Sequence, residues 1–577
     1  MKIKHLFGLA VIAAMTASCS SNEDLGTAGP GTGTNEAGVG YATFTINLPS
    51  VSGSRAAGDP TMEEGDPTEY AVKSATALIF QKYGSDEGSY KFVESVTLPI
   101  DGWTDDTTPG ITTTAKKLVA KLTNVDTKND YSVLILLNNT KVALPTVGQS
   151  YNDWNSKNIL TLSATDWAGS DGFYMANAPL KGSAASPATL VPIDKAKIYA
   201  SEAKAKEDAS TCAATVYVER GVAKMTVADP NPTPTDPIKV KDKATKAETE
   251  STVKFNNWAL DITNRKTYAV HNIDGLSADY DKIWNTDSPN RFIGTNNRVY
   301  WGKDPNYENN DLKLTNKDAD REAEFNFIKA TSEIDKTFTE SAYCLENTFN
   351  LSNMYQGQTT RVIFKAKYEP KNDVGVSLAD ADGTFYTIGN MTTILKEADL
   401  KTAVDAAAAA VLPGCVVDYA NLKKEGSHVI TLEDIKENSS STTHLDGTTT
   451  YGTKTGNDIV ADINAKLGLK AGRAEAMVGI NTYLNGVTYY IARVKHFGEL
   501  THWNSGESYG GNNDKYLGRY GMLRNNWYEL KVGNVYGPGY PGVPPVDPTL
   551  PDDENEKYLS VSVKILSWAK RSDTVDL

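Results

Sequence analysis

The chain has 577 residues, 58 Lys and Arg against 72 Asp and Glu, a net charge of −14 and 40% hydrophobic residues. An acidic balance argues against nucleic acid or an anionic membrane surface as the main partner. Four Cys and six His leave little material for a zinc site or a thiol catalyst, so no cofactor is expected. The length allows two to four domains with ample core, and 23% charged with 9% aromatic residues describes folded matter rather than a disordered tail.

Residues 1–18 read as an address label. Lys2 and Lys4 precede an apolar run, Leu6 to Met15, and Thr16-Ala17-Ser18 leads to Cys19. That run is too short to span a bilayer. Small residues before a Cys fit a bacterial lipoprotein signal in which Cys19 is acylated and becomes the first residue; an ordinary signal peptide with an incidental Cys is the alternative. The segment from Ser20 to Gly40 is rich in Gly and Thr, a flexible tether. In Tyr41–Leu48, Phe44, Ile46 and Leu48 alternate with Thr43, Thr45 and Asn47, which predicts a strand. Gly53-Ser54-Arg55-Ala56 then sets one Arg among small turn formers, open to a protease or simply a surface turn.

Strands are predicted at Ala75–Tyr83, Tyr90–Ile100, Lys117–Leu122, Tyr131–Leu137 and Ala214–Val227, with a helix near Ile193–Asp208. Strands at this spacing predict a β-sandwich. Three prolines in Asp229–Asp236 mark a boundary. Further strands are predicted at Lys254–Tyr268, Thr359–Tyr368, Val487–Lys495 and Trp527–Val535, with helices over Leu400–Leu412 and Asn457–Leu467. Residues 536–556 carry six Pro; they predict an extended, semi-rigid spacer reaching roughly 65 Å at about 3.1 Å per residue.

Beyond that spacer, Lys557–Trp568 sets Leu559, Val561, Val563 and Ile565 on one side and Ser560, Ser562 and Lys564 on the other. This is a half-buried strand with no neighbour in sequence. It could fold back onto its own domain or fill a groove on another copy. Burying those four residues with Trp568 would contribute on the order of 8–15 kcal/mol gross. Head-to-tail use of such a strand makes open filaments. Phe44/Ile46/Leu48 and Val561/Val563/Ile565 share one spacing, as two occupants of one groove should.

The candidate chemistry is sparse. His496 and His502 flank Glu499 without metalloprotease spacing, and a strand-end loop is the simpler reading. Asp380-Ala381-Asp382-Gly383 resembles part of a calcium loop, but Met391 stands where the bidentate Glu belongs; a β-turn is expected. Cys212, Cys344 and Cys415 allow at most one bridge, for instance Cys344–Cys415, while Cys212 reads as buried filler. Asp106-Thr107-Thr108 and Asp573-Thr574-Val575 fit a short O-glycosylation pattern that arises often by chance.

Together, the lipoprotein start at Cys19, the Gly53–Ala56 junction, Val218–Lys224, Thr360–Lys367, Arg524–Tyr528, and Ile565–Trp568 through Val575–Leu577 resemble the fimbrillin family of Bacteroidia, the type V pilins, and within it the shaft subunits of Mfa-type minor fimbriae. The resemblance implies a mainly β chain of two transthyretin-like, Greek-key β-sandwich domains with a few helices. It implies a lipoprotein precursor brought through the periplasm to the outer membrane, cut between Arg55 and Ala56 by a trypsin-like protease, and polymerised by donor-strand exchange. The expected divisions are signal 1–18, propeptide 19–55 with a removable strand (Phe44, Ile46, Leu48), first domain 56–228, linker 229–250, second domain 251–535, spacer 536–556 and donor strand 557–577. The implied partners are further copies of the chain, anchor and tip subunits, the protease, and a receptor on host or bacterial surfaces. A monomeric surface lipoprotein that binds glycan is the competing class, and a secreted hydrolase the third.

Overall fold

A computed structural model describes residues 33–48, 62–63, 66–100, 115–126, 128–181, 187–207, 212–233, 235–276, 299–308, 318–348, 350, 353–472, 477–496, 517–548, 550–552, 559–567 and 570–571, with the backbone alone at 62–63, 115, 318, 559–567 and 570–571. The chain is mainly β, with several mixed sheets and few helices.

The first lobe contains strands β1 (Gly40–Asn47), β2 (Ala75–Gln81), β3 (Lys91–Thr97), β4 (Ala115–Leu122), β5 (Tyr131–Leu137), β6 (Met175–Asn177), β7 (Val191–Ile193) and β8 (Cys212–Arg220). It also holds short helices α1 (Pro67–Tyr70), α2 (Tyr151–Asn155) and α3 (Glu202–Ala205). The strand order is β3-β2-β5-β6-β8-β1-β4, with β7 also on β5. The two ends of that order meet: Glu94 of β3 accepts from the Thr123 amide (3.0 Å), the Thr123 hydroxyl (2.7 Å) and the Asn124 amide (3.0 Å), just past β4. The sheet therefore curls around one core, to which Phe44, Ile46, Leu78, Phe80, Leu134 and Val216 contribute. β5 is buried along its whole length, as its unbroken apolar run requires.

The second lobe contains β9 (Val222–Val227), β10 (Ile238–Lys241), β11 (Glu248–Asp261), β12 (Ala342–Leu345), β13 (Arg361–Glu369), β14 (Phe385–Ile388), β15 (Gly426–His428), β16 (Ile480–Tyr483), β17 (Val487–Arg493), β18 (Asn526–Val535) and β19 (Leu559–Ser567). Sheets β12-β9-β18-β19 and β10-β11-β13-β17 share a core that takes Met225, Tyr528 and Leu530 from the first and Phe255, Phe364 and Tyr490 from the second. This is sandwich-type packing. Residues 370–486, between β13 and β17, add a third sheet, β14-β16-β15, and helices α4 (Glu397–Ala409) and α5 (Gly456–Lys466). This insert has its own core, built on Leu400, Val404, Ile459 and Ile463.

Several expectations change. The helix near Ile193–Asp208 is replaced by a 3₁₀ turn at Lys195–Lys197 and the short α3. Asp194 accepts from the Ala196 amide, and Tyr199 pairs its backbone with Tyr41, so the segment serves β1 instead of coiling. The run Ala214–Val227 is two strands in different sheets. Gly221 divides them, because a Cβ there would lie 2.5 Å from the Trp167 ring. The chain thus enters the second lobe at β9, and residues 238–250 form a hairpin of that lobe, not a free linker. Lys254–Tyr268 breaks after Asp261, where Ile262 adopts φ +58°, a costly conformation for a β-branched residue.

The proline-rich segment is extended but docked. Tyr540 pairs with Tyr489, Arg361 donates to the Pro544 carbonyl (2.7 Å), and the Gln356 amide donates to Leu550 (3.0 Å). Prolines donate nothing, yet their carbonyls accept, so a proline-rich strap can still be held. The three described Cys are free, and no Cys344–Cys415 bridge forms. Cys344 lies in the second-lobe core and Cys415 against the insert's core; burial pushes the Cys344 thiol up to about 12.

Candidate functional site

The two terminal strands are the features that local folding does not account for. β1 lies inside a sheet although its sequence precedes the Arg55–Ala56 junction. It pairs parallel with β8 from Thr43↔Cys212 to Asn47↔Tyr217, and antiparallel with β4 from Gly40↔Leu122 to Asn47↔Ala115. Among the described residues, β4 has no other strand in its ladder. Removing β1 would leave β4 held by the Glu94 clamp and by side-chain packing.

The alternating pattern explains the slot. Ala42, Phe44, Ile46 and Leu48 are all buried, and burying the three larger side chains contributes on the order of 5–9 kcal/mol gross. Polar ties fix the register: the Thr43 hydroxyl donates to the Ala205 carbonyl (2.5 Å), and Asn47 Nδ2 donates to the Val216 carbonyl (3.3 Å). Gly40 is required by close approach, since a Cβ would stand 2.6 Å from Ile198 Cγ2. Cys212 sits on the slot wall, its Sγ 3.1 Å from the Thr45 hydroxyl.

The tail forms the strand that its pattern predicts, and it has a partner in its own chain. β19 pairs antiparallel with β18, setting Leu559 opposite Val535, Val561 opposite Val532, Val563 opposite Leu530 and Ile565 opposite Tyr528. Among the described residues its other edge is unpaired. Lys570–Arg571 pairs with Met62–Glu63, a few residues past the expected cut. Cys19, Arg55, Ala56 and Trp568 lie outside the described residues, as do both glycosylation patterns, His502 and Glu499.

Behind the expected cut, Glu69 of α1 is fully buried and ion-paired with Lys224 of β9. Tyr343 donates to Glu69 Oε1 (2.7 Å), Arg220 Nε donates to the Glu69 carbonyl (2.7 Å), and the Lys224 ammonium stands 3.9 Å above the Trp527 ring. Burial and the Glu69 charge raise the Tyr343 hydroxyl far above its ordinary value, so it stays a donor. Sequence reading missed this cluster and the Glu94 clamp, since neither has a periodic signature.

The other candidates are structural. His496 is buried, its Nδ1 2.8 Å from the Tyr528 hydroxyl. Asp380–Gly383 is a turn: the Gly383 amide donates to the Asp380 carbonyl (2.9 Å), and Gly383 has φ +88°. Among the described residues no group of three or more His, Cys, Asp or Glu could hold a metal ion, and no helix is long and apolar enough to cross a membrane.

Residues 481–574 match the family described as major fimbrial subunit protein type IV, fimbrillin, C-terminal. The carboxy-terminal part of the chain is fimbrillin-like. The match runs from β16 through β19, so it includes the tail strand and its partner β18. The description is that of a structural subunit. No curated protein matches the chain. A candidate cell-adhesion protein from Parabacteroides distasonis aligns over 92% of this chain and 99% of its own, at 9% identity and TM-score 0.35. A fimbrial assembly protein from the same species aligns over 62% and 94%, at 11% identity and TM-score 0.27. Likenesses this weak carry no argument about fold or function.

Proposed function

We propose that this chain is a shaft subunit of a bacterial surface fimbria, polymerised by strand exchange and supporting adhesion. The supporting observation is the position of β1: interior to a sheet, yet upstream of the Gly53–Ala56 junction. In this reading the precursor is exported, acylated at Cys19 and cut between Arg55 and Ala56 by a trypsin-like protease. β1 then leaves, and the slot between β8 and β4 opens with two unpaired ladder edges and an apolar floor. Open edges of this kind seek another strand. The occupant is the tail strand of a neighbouring copy, which must first leave its own β18. Its residues Leu559, Val561, Val563 and Ile565 repeat the spacing of Phe44, Ile46 and Leu48, and Trp568 extends it. The lobes keep the transthyretin-like, Greek-key arrangement, and anchor, tip and surface receptor join the fibre's ends and outside.

Cys212 supplies a direct test. A Cys at Ser560 or Ser562, on the face that would take the place of Thr43 and Thr45, in a Cys344→Ala, Cys415→Ala background is expected to cross-link to Cys212 of another molecule in matured fibres. Cross-links confined to one chain, or SDS-resistant ladders that persist after deletion of residues 557–577, would refute exchange. Arg55→Ala is expected to leave a lipidated, full-length precursor; normal fibres from it would remove the cleavage step. A monomeric glycan binder forms no ladder in any variant.

A further inference from the structure

A pocket of about 460 Å³ opens on the insert, where the turn before β14 meets the start of α4. Lys396, at the head of α4, offers no side-chain cap, so Asp380 reaches across from the turn and its Oδ2 accepts from the Glu397 amide (3.0 Å). Asp382 engages both oxygens with Thr384, accepting from its amide (2.9 Å) and its hydroxyl (3.0 Å). Glu397 Oε1 is ion-paired with Lys401 and with Lys423, each at 2.7 Å. All three carboxylates thus have partners inside the fold. Tyr386 of β14 is the exception. The residue is 2% exposed, with its ring in the insert's core, yet it lines the pocket and its hydroxyl faces Glu397, Asp380 and Asp382. Among the described residues that hydroxyl has no hydrogen-bond partner, whereas a polar group so buried is normally paired. Burial and the three nearby carboxylates push it up to about 12, so it stays neutral and able to donate. Leu484, 37% exposed, gives the pocket an apolar wall.

We propose that this pocket binds a neutral pyranose, either the terminal sugar of a glycan or a free monosaccharide. An anion would meet three carboxylates, and a cation would meet Lys423 with Lys401 behind it. A neutral ligand avoids both. Each sugar hydroxyl donates once and accepts twice. That suits a lining that mixes donors and acceptors: the Tyr386 hydroxyl, Asp380 Oδ1 and Glu397 Oε2, which the bonds above leave open, and the Lys423 hydrogens not used on Glu397. The C–H face of the ring is apolar and can lie on Leu484. The volume falls within the roughly 300–1,000 Å³ of small-molecule pockets. The site belongs to the insert, apart from the slot and the tail, so it stands whether or not strands exchange. In a fibre every copy would carry one, and weak sites repeated along a polymer hold a surface together far more tightly than one alone.

The test is a ligand-observed NMR titration of the full-length chain with the methyl glycosides of galactose, mannose, fucose and N-acetylglucosamine, with n-butylammonium chloride as the cationic control. Saturable binding of at least one glycoside is expected, with a Kd on the order of millimolar. Tyr386→Phe deletes only the unpartnered hydroxyl and keeps the ring in the core; it should weaken binding by about fivefold to tenfold. Leu484→Ala, at an exposed position that does not threaten folding, should weaken it by about twofold to threefold. No saturation by any glycoside at tens of millimolar, unchanged affinity in Tyr386→Phe, or butylammonium binding as tightly as the sugars would overturn the proposal. Disaccharide glycosides ending in the sugar that binds distinguish the sources: tighter binding than the monosaccharide marks the end of a longer glycan, and equal binding marks a single sugar.

Discussion

Lys224 and Glu69 show how one buried pair can hold several elements. Lys224 joins β9 to α1 and to the Trp527 ring on β18, while Tyr343 brings in β12. Removing one charge strands the other, so Lys224→Met is expected to cost about 3–5 kcal/mol in urea unfolding of the full chain. Adding Glu69→Gln to that variant should restore part of the loss. Asp304 makes a pH prediction. It accepts from Asn306 N (2.9 Å) and Thr348 N (3.0 Å), but burial still pushes its carboxyl from 3.8 up to about 7. The folded chain therefore keeps a proton that the unfolded chain has released between about pH 4 and 7. Stability contributed by this group should fall as pH rises through that window and level off above 7. The slope is at most about 1.4 kcal/mol per pH unit for one group, and Asp304→Asn should remove this share in urea titrations across pH.

At the scale of elements, β1 and β4 carry the decisive consequence. Ile46 is fully buried, so Ile46→Ala should destabilise the uncut precursor by about 2–4 kcal/mol. If β1 departs, the same change should leave the melting of finished fibres unaltered. Fibres weakened as much as the precursor would mean that β1 stays in place. Hydrogen exchange offers a second view. A cut subunit without a donor should lose amide protection along residues 115–122 and 212–217 and regain it in the fibre, because β4 has no other ladder partner among the described residues. The insert, with its separate core and two helices, should keep its protection throughout.

For the whole molecule, the slot lies in the first lobe and the tail strand on the second. In the proposed exchange the contact joins different surfaces of identical copies, and such a contact grows linearly unless the rotation per copy closes a ring. A cut subunit lacking residues 557–577 keeps its slot but has nothing to donate. Mixed in at about one part in ten, it should accept a neighbour's strand, halt that end and shorten fibres several-fold by electron microscopy. Unchanged lengths would show that the tail is not the joint.

The strands at 41–48, 75–81, 131–137, 361–369 and 487–493, and the helices α4 and α5, could be read from the sequence because period 2 and period 3.6 are local properties of the chain. The tail strand was legible in the same way, from the alternation of Leu559, Val561, Val563 and Ile565 with polar residues. The sequence could not place the break at Gly221, which depends on Trp167 lying across it, or the strap over residues 536–552, whose carbonyls find donors far away in sequence. Nor could it foresee that Lys/Ala-rich residues 193–208 give up a helix to tie down β1. Charge, the scarcity of Cys and His, and the two apolar stripes at the ends were determined by sequence alone. Which strand each stripe lies beside was decided only by the tertiary structure: β1 between β8 and β4, β19 on β18. A strand's pattern fixes which face is buried, but its ladder partner is fixed by long-range packing.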